Sequence, residues 1–445
     1  MTFGPDLLLE RLDALETTAG RPRRYLVAFS GGLDSTVLAH ALAETRSRHR
    51  KVLLAIHIDH QLQAESSRWS DYCRELAGRF GIEFVTERVA VDTTGGSGLE
   101  AAAREARYAA LASHVGDGDW LLSAHHRNDQ AETLLLNLMR GSGPAGLAGI
   151  GAATSFAAGW LVRPLIDVPR TALEAYAATH GLEWLDDPSN EDPRFDRNYL
   201  RHAVLPVLER RWPGVVERIA RSADLAGEAA TLLEELAAID LRALGDRPAR
   251  IDVEGLLKLP QARQRNLLRH AIRRAGLPLP GAARLATVID SVLQAKPDAQ
   301  PLVEWPGGEL RRYRGRLYLL PPLGEVAWPS QGAVLGATPV ALGEGMGTLQ
   351  LVPDAPRGLS AATVGRGLCV RMRSGGEQLK PAGQAHTKKL KKLLQDEGVV
   401  PWMRERLPLV FAGDELVAVA DLWVAAGASS EPGTAVRWDG RPELY

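Results

Sequence analysis

Residues 24–36 read RYLVAFSGGLDST, and the fold turns on this stretch. Tyr25–Phe29 is a short apolar run that passes at once into Ser30-Gly31-Gly32-Leu33-Asp34-Ser35-Thr36, and VLAHALAET (37–45) then continues with helical periodicity. A strand that turns on glycines into a helix is where an open α/β sheet binds its ligand. Gly31 and Gly32 allow the tight turn and close backbone approach. Successive N–H groups and the helix start favour an anion, to which the Ser30 and Ser35 hydroxyls add donors. Asp34 among phosphate oxygens implies Mg²⁺ or a positive partner. Neither the Lys of a Walker A loop nor the G-x-G-x-x-G of a dinucleotide site is present. A plain Gly-rich turn capped by Asp34 or Ser35 is the alternative, but the complete SGGLDS after a strand favours phosphate.

Outward from this loop, strands and helices alternate. KVLLAIHID (51–59), EFVTERV (83–89) and DWLLSAHH (119–126) read as buried strands. SSRWSDYCRELAGRFG (66–81), LEAAAREARYAALASHV (99–115) and NDQAETLLLNLMR (128–140) read as helices. The expectation for residues 1–200 is therefore an α/β, doubly wound parallel-sheet domain. Residues 201–320 read as a mainly helical domain, with LAGEAATLLEELAAIDLRAL (225–244) and ARQRNLLRHAIRRAG (262–276) periodic and a short strand pair at 309–319. The Gly- and Pro-rich segment 321–365 reads as linker-like, with candidate strands such as GTLQLVP (347–353). Residues 366–445 read as a small basic α+β domain, with strands at 368–373 and 415–424 around a basic helix at 387–398. Three domains agree with a length of 445 residues.

Composition narrows the function classes. The 53 Lys+Arg and 54 Asp+Glu give a formal net charge of -1, which excludes a uniformly basic nucleic-acid binder but not a local basic face. Two cysteines, Cys73 and Cys369, cannot build a disulfide framework or a four-cysteine cluster. The opening MTFGPDLLLERLDALE reads as a charged amphipathic helix rather than a secretory leader, and no run approaches 18 uncharged apolar residues. A reducing, cytoplasmic location without membrane contact is expected.

Several side chains are placed to do chemistry. Asp129 and Glu132 lie i,i+3 on one helix face just beyond a strand end, where they can hold Mg²⁺ or an ammonium group, or one can act as base. Helix capping and dipole compensation are the alternative. The charge of Arg107 suits an α-phosphate or leaving pyrophosphate, and Asp59 closes the second strand, as a site residue or a turn cap. The adjacent His125 and His126 point to opposite faces, which does not favour zinc. Residues 371–408 carry nine Lys+Arg against four Asp+Glu, and Arg263, Arg265, Arg269, Arg273 and Arg274 form a second basic cluster. Gly141–Gly151 reads as a candidate mobile lid.

With these residues in view, the SGGxDS pattern resembles that of the PP-loop, or N-type, ATP pyrophosphatase superfamily. That likeness implies cleavage of ATP to AMP and pyrophosphate, with Ser30, Gly31, Gly32, Leu33, Asp34, Ser35 and Asp59 binding ATP. Further motifs narrow the acceptor: His57-Ile58-Asp59-His60, Ala106-Arg107-Tyr108, His125-His126-Arg127-Asn128-Asp129-Gln130, Arg163-Pro164-Leu165, Asp187-Pro188-Ser189-Asn190 and Asn198-Tyr199-Leu200-Arg201. With Arg373-Ser374-Gly375-Gly376, Lys380-Pro381-Ala382-Gly383 and Lys388-Lys389-Leu390-Lys391-Lys392-Leu393, they are similar to the tRNA(Ile)-lysidine synthetase family over most of the chain.

The resemblance implies an ATP-dependent carbon–nitrogen ligase that joins free L-lysine to C2 of the wobble cytidine of CAU-anticodon isoleucine tRNA. Asp34, Arg107, Asp129 and Glu132 would be catalytic, with Mg²⁺ on Asp34 and Asp129. The family often reads H-H-x-D-D-Q; Asn128 departs from it and shifts the metal expectation to Asp129. The oligomeric state, monomer or dimer, stays open. A PP-loop thiolase is disfavoured because the cysteines lack C-x-x-C spacing. A ligase of small metabolites leaves the basic C-terminal domain without a purpose, and a non-catalytic RNA binder leaves SGGLDS without one.

Overall fold

Strand β1, Tyr25–Ala28, lies at the middle of the first sheet in a computed structural model that describes residues 2–61, 66–91, 99–296, 299–324 and 332–444. The chain divides into two compact units, Met1–Leu236 and Ala237–Tyr445. In the first, β1 is joined by β2 (Leu53–Asp59), β3 (Glu83–Arg88), β4 (Trp120–Leu122), β5 (Ala153–Phe156) and β6 (Gly159–Val162) in the order β3-β2-β1-β4-β6-β5. All neighbouring pairs are parallel except the β5–β6 hairpin.

The helices are α1 (Pro5–Ala19), α2 (Leu33–Glu44), α3 (Arg46–His49), α4 (Ser66–Arg79), α5 (Leu99–His114), α6 (Arg127–Met139), α7 (Pro144–Leu147) and α8 (Arg170–Thr179). Apolar cores cover both sheet faces. Val27 and Leu122 belong to one core with Leu8, Val37 and Leu173, while Leu26 and Leu121 belong to the other with Ile56, Leu111 and Leu161. Burial on both sides is why these strands read as unbroken apolar runs.

The strand order reverses beside β1. The chain leaves β1 for β2 on one side and returns from β3 to β4 on the other, so the loops after β1 and β4 diverge and open a crevice at their carboxyl ends. Beyond α8 come α9 (Asp196–Tyr199), a π-helical turn (Leu200–Val204), α10 (Leu205–Arg211) and α11 (Val215–Ala243). The boundary expected at residue 200 therefore falls inside helical structure.

The second unit contains more strand than the sequence suggests. β7 (Arg250–Asp252), β8 (Leu302–Trp305), β9 (Gly308–Tyr313) and β10 (Arg316–Leu320) form a sheet ordered β7-β10-β9-β8. It packs with Leu267, Leu268 and Ile272 of the helix Gln261–Arg274. The β8–β9 hairpin turns on Pro306-Gly307, with Gly307 left-handed, and the β9–β10 hairpin on left-handed Arg314 and Gly315, whereas the pairing of β7 with β10 carries no such local signal.

In the linker-like segment 321–365 the candidate strand GTLQLVP is a strand, and the described residues contribute further strands that the linker-like reading does not include. Ala333–Leu335 pairs with Leu368–Arg371, and Thr348–Ala355 pairs with Gly433–Asp439. The basic helix also starts later than expected: Lys388–Lys389 is a short strand paired with Gln378–Leu379, and the helix is Leu390–Glu397. Leu390, Leu393 and Leu394 are buried, while Lys388, Lys389, Lys391 and Lys392 are exposed.

Gly31 provides a test of this frame. Its φ is +78°, and a Cβ there would lie 2.6 Å from Cys73 Sγ. Gly31→Ala combines left-handed strain with a steric overlap, so we expect a loss of about 2 kcal/mol or more in urea denaturation. Adding Cys73→Ala should return the steric part only. A loss below about 0.5 kcal/mol would mean that the loop is free to reshape.

Candidate active site

The loop after β1 is closed by its two serines. The Ser30 amide donates to Ser35 Oγ at 3.3 Å, the two hydroxyls meet at 3.1 Å, and Ser35 Oγ donates to the Gly32 carbonyl at 3.1 Å. The Leu185 amide donates to the Gly31 carbonyl at 2.9 Å. Gly32 stands at the N-cap of α2 without a side-chain cap, so the first amide groups of that helix keep their capacity for an anion. Leu33 packs into the core.

Asp34 lies on the first turn of α2. Its Oδ1 is buried without a hydrogen-bond partner, and its Oδ2 lies 3.5 Å from His126 Nε2. His126 is the N-cap of α6: its amide donates to Asp129 Oδ2 at 2.9 Å, and its Nδ1 accepts from the Asp129 amide at 3.4 Å. One imidazole thus connects the carboxylates of two loops. Burial alone would lower the His126 pKa, but the Asp129 and Asp34 carboxylates outweigh it and raise it. Burial also works against ionised Asp129, yet the neighbouring histidines and the His126 amide hold its pKa below the usual carboxylate value.

Asp129 and Glu132 share a face of α6, as the spacing predicts, and Arg201 of the π-helical turn lies between them. Arg201 Nε and Nη2 donate to the two Glu132 oxygens at 2.8 and 3.0 Å, and Nη2 also lies 3.4 Å from Asp129 Oδ1. Arg197 Nε is 3.5 Å from Glu132 Oε2. Glu132 is 0% exposed, and burial pushes its carboxyl up against the pull of these guanidiniums.

This arrangement decides which group suits Mg²⁺. The Asp129 oxygens are engaged by the His126 amide and Arg201, whereas Asp34 retains a buried oxygen without a partner. A single carboxylate fits Mg²⁺ shared with phosphate oxygens, so the donor set favours Asp34 over Asp129. Among the described residues, no group of three His, Cys, Asp or Glu could hold a metal by itself.

The other sequence-derived residues take varied places. Asp59 Oδ1 accepts from the Gln61 amide at 2.9 Å, which is the turn-cap arrangement. Arg107 stacks its guanidinium 5.6 Å from the Tyr108 ring centre, and its charge, after burial, lowers the pKa of His60 at the end of β2. His57 donates Nδ1–H to the Phe29 carbonyl at 3.0 Å. Asn128 faces α8, where its Oδ1 accepts from the Arg170 amide at 3.2 Å. His125 meets Ser123 Oγ at 2.6 Å, and burial brings its pKa down to about 4.

The proposed lid is pinned to α6. Gln130 Oε1 accepts from the Ile150 amide at 2.6 Å, and Asn137 Nδ2 donates to the Gly146 carbonyl at 2.8 Å. In the second unit Arg263 is committed to the buried Asp240, with Nε 3.0 Å from Oδ2.

Sheet order, uncapped glycine loop and acidic helix together define a PP-loop protein, and residues 9–208 match the family model described as PP-loop domain. Residues 251–318 match the TilS substrate binding domain, and 368–439 match the TilS substrate C-terminal domain. The tRNA(Ile)-lysidine synthase of Alkalilimnicola ehrlichii is 43% identical, covering 97% of this chain and 96% of its own. That of Coxiella burnetii is 38% identical over 96% and 94%, and that of Xanthomonas campestris pv. campestris is 41% identical over 91% and 92%. The chain belongs to the tRNA(Ile)-lysidine synthase family.

Two measurements test the electrostatics. Arg201→Ala leaves Glu132 buried with a poorer partner and should cost about 3–5 kcal/mol, while Arg201→Met combined with Glu132→Leu should recover most of it. Equal losses in both proteins would contradict a dominant charge effect. For His125 the folded pKa lies below the unfolded 6.5, so the unfolded state binds the extra proton between pH 6.5 and about 4. Stability should fall through that window as pH drops, and His125→Asn should flatten the fall. A proton NMR titration of His125 centred near 6.5 would contradict this assignment.

Proposed function

We propose that this chain joins free L-lysine to C2 of the wobble cytidine in CAU-anticodon isoleucine tRNA, at the expense of ATP. The observation that carries the reading is the likeness to tRNA(Ile)-lysidine synthases over 97% of the chain. The uncapped SGGLDS helix start at the sheet's switch point supports it. The C2 oxygen attacks the α-phosphorus and pyrophosphate leaves. The lysine ε-amine then attacks C2, and AMP departs with that oxygen.

The residues divide this work. Gly31, Gly32 and the first amides of α2 receive phosphate oxygens, and Ser30 and Ser35 hold the loop's shape. Asp34 would hold Mg²⁺, which when bound neutralises charge building on the phosphates. Arg107 supplies a guanidinium for the α-phosphate or pyrophosphate. A lysine ammonium, with a pKa of about 10.4, must lose a proton before attack. Asp129 and Glu132 form the acidic pair that favours the ammonium, and one of the two takes its proton. A cavity of about 190 Å³ is bordered by Asn128, Glu132, Arg170, Arg201 and Leu205, on the Glu132 side of the pair.

The wobble cytosine leaves its stack at low cost because an anticodon loop is already single-stranded. Exposed Lys388, Lys389, Lys391 and Lys392, with Arg269 and Arg274, offer charge to the RNA backbone. A sulfur-transfer reading has no support from Cys73, whose thiol is buried and pushed up to about 12. Among the described residues no helix is long and apolar enough to cross a membrane, and we place the reaction in the cytoplasm.

The test is transfer of labelled lysine in the presence of ATP and Mg²⁺. Isoleucine tRNA with the CAU anticodon should be labelled and elongator methionine tRNA should not, with Asp34→Ala reducing the rate by about 100-fold or more. AMP release without lysine transfer would overturn the acceptor, and neither signal from folded protein would overturn the reading as a whole.

A further inference from the structure

Among the described residues of the first unit, three large aromatic residues are exposed: Trp184 at 36%, Tyr199 at 54% and Trp212 at 50%. Two are already engaged. The Trp184 indole donates to Asp186 Oδ1 at 3.0 Å, and the Arg211 guanidinium lies 5.5 Å from the Trp212 ring centre. The Tyr199 side chain has no hydrogen bond, ion pair or ring contact among the described residues. Leaving an aromatic ring in water forgoes burial that would favour folding.

Its neighbours define its setting. In the run Asn198-Tyr199-Leu200-Arg201, Asn198 is buried with Nδ2 donating to the Asp192 carbonyl at 3.0 Å, and Leu200 is buried in the core. Arg201 grips Glu132 at 2.8 Å, and Arg197 on the previous turn lies 3.5 Å from the same carboxylate. Fold or ion pair accounts for three of the four side chains. Tyr199 is carried on the turn that reaches the acidic pair, yet it faces solvent.

The cations around Tyr199 are partly committed. Arg194 is paired with Asp192, and Arg197 and Arg201 with Glu132, which leaves Arg210 and Arg211, the latter 5.5 Å from the Trp212 ring centre, as the cations without a carboxylate partner among the described residues. The Glu209 carboxylate is occupied by the amides of Gly214 and Val215. An unengaged, exposed aromatic face is the feature single-stranded nucleic acid uses, because every base has a π face to stack.

We propose that Tyr199 is the stacking platform for an anticodon-loop base next to the reacting cytidine. This deepens the RNA-modifying reading above and rests on it. The ring of Tyr199 holds the flanking base out of the loop's stack, which keeps the wobble position presented to the site. It acts through π contact, so its hydroxyl is dispensable.

The test uses the full-length enzyme and CAU-anticodon isoleucine tRNA in which the adenosine 3′ of the wobble cytidine is 2-aminopurine. Affinity is read by fluorescence, independently of turnover, and lysine transfer is measured in parallel. Tyr199→Ala should weaken RNA binding about 5- to 100-fold, the range expected for one stacked base. The kinetic loss should fall on KM for RNA rather than on kcat, and the bound probe should be brighter than with wild type.

Tyr199→Phe and Tyr199→Trp should stay within about threefold of wild type, and Tyr199→Leu should behave like Ala. An unchanged melting temperature in Tyr199→Ala separates stacking from a structural role. If wild type transfers lysine but Tyr199→Ala binds RNA as tightly with the same probe brightness, this proposal fails alone. If wild type binds the RNA but transfers no lysine, the lysine-ligating reading fails instead.

Discussion

The bidentate pair between Arg201 and Glu132 is the constraint on which the site depends. Taking a carboxylate fully out of water costs several kcal/mol, and only good geometry recovers that cost. Here the recovery comes from two guanidinium bonds, with Arg197 adding a second positive charge. The pair ties the first turns of α6 to the segment that follows α8. In doing so it fixes Asp129, whose Oδ1 shares Arg201 Nη2 and whose Oδ2 receives the His126 amide. His126 extends the chain of contacts to Asp34 on the other loop. A single run of charges therefore sets the distance between the glycine loop and the acidic helix.

Topology explains why the run lies where it does. Reversal of strand order beside β1 sends the loops after β1 and β4 apart. The first carries amides and small hydroxyls, suited to phosphate. The second carries imidazoles and carboxylates, suited to protons and cations. Gly31 lets the first loop settle against Cys73, and Gln130 and Asn137 pin the segment after α6. The chemistry is held between two rigid elements, which suits a reaction in which a nucleotide, a base and an amine must meet in order.

What could be read from the sequence was local. The glycine loop, its flanking strand and helix, and the shared face of Asp129 and Glu132 all follow from neighbours within a few residues. What could not be read was the use made of those side chains. Arg201 reaches Glu132 across 69 residues, so the spacing 129–132 shows a free acidic pair where the fold has a paired one. His126 caps α6 with an imidazole, outside the Ser, Thr, Asp and Asn set by which N-caps are recognised. GTLQLVP could be read as a strand, but its partner at 433–439 could not, and the three left-handed glycines at its start, Gly343, Gly345 and Gly347, gave the segment its linker-like look. Lys388 and Lys389 continue a helical pattern, yet Leu390 donates its amide to the Glu377 carbonyl and the two lysines pair as strand.

The central claim is that the RNA oxygen, and not the lysine carboxylate, is the group activated by ATP. Incubating the enzyme with CAU-anticodon isoleucine tRNA and ATP labelled at the α-phosphate, with lysine withheld, tests it most directly. The account predicts label attached to the RNA, lost as AMP when lysine is added. Label that appears only after lysine is supplied, and on the amino acid rather than the RNA, would contradict it.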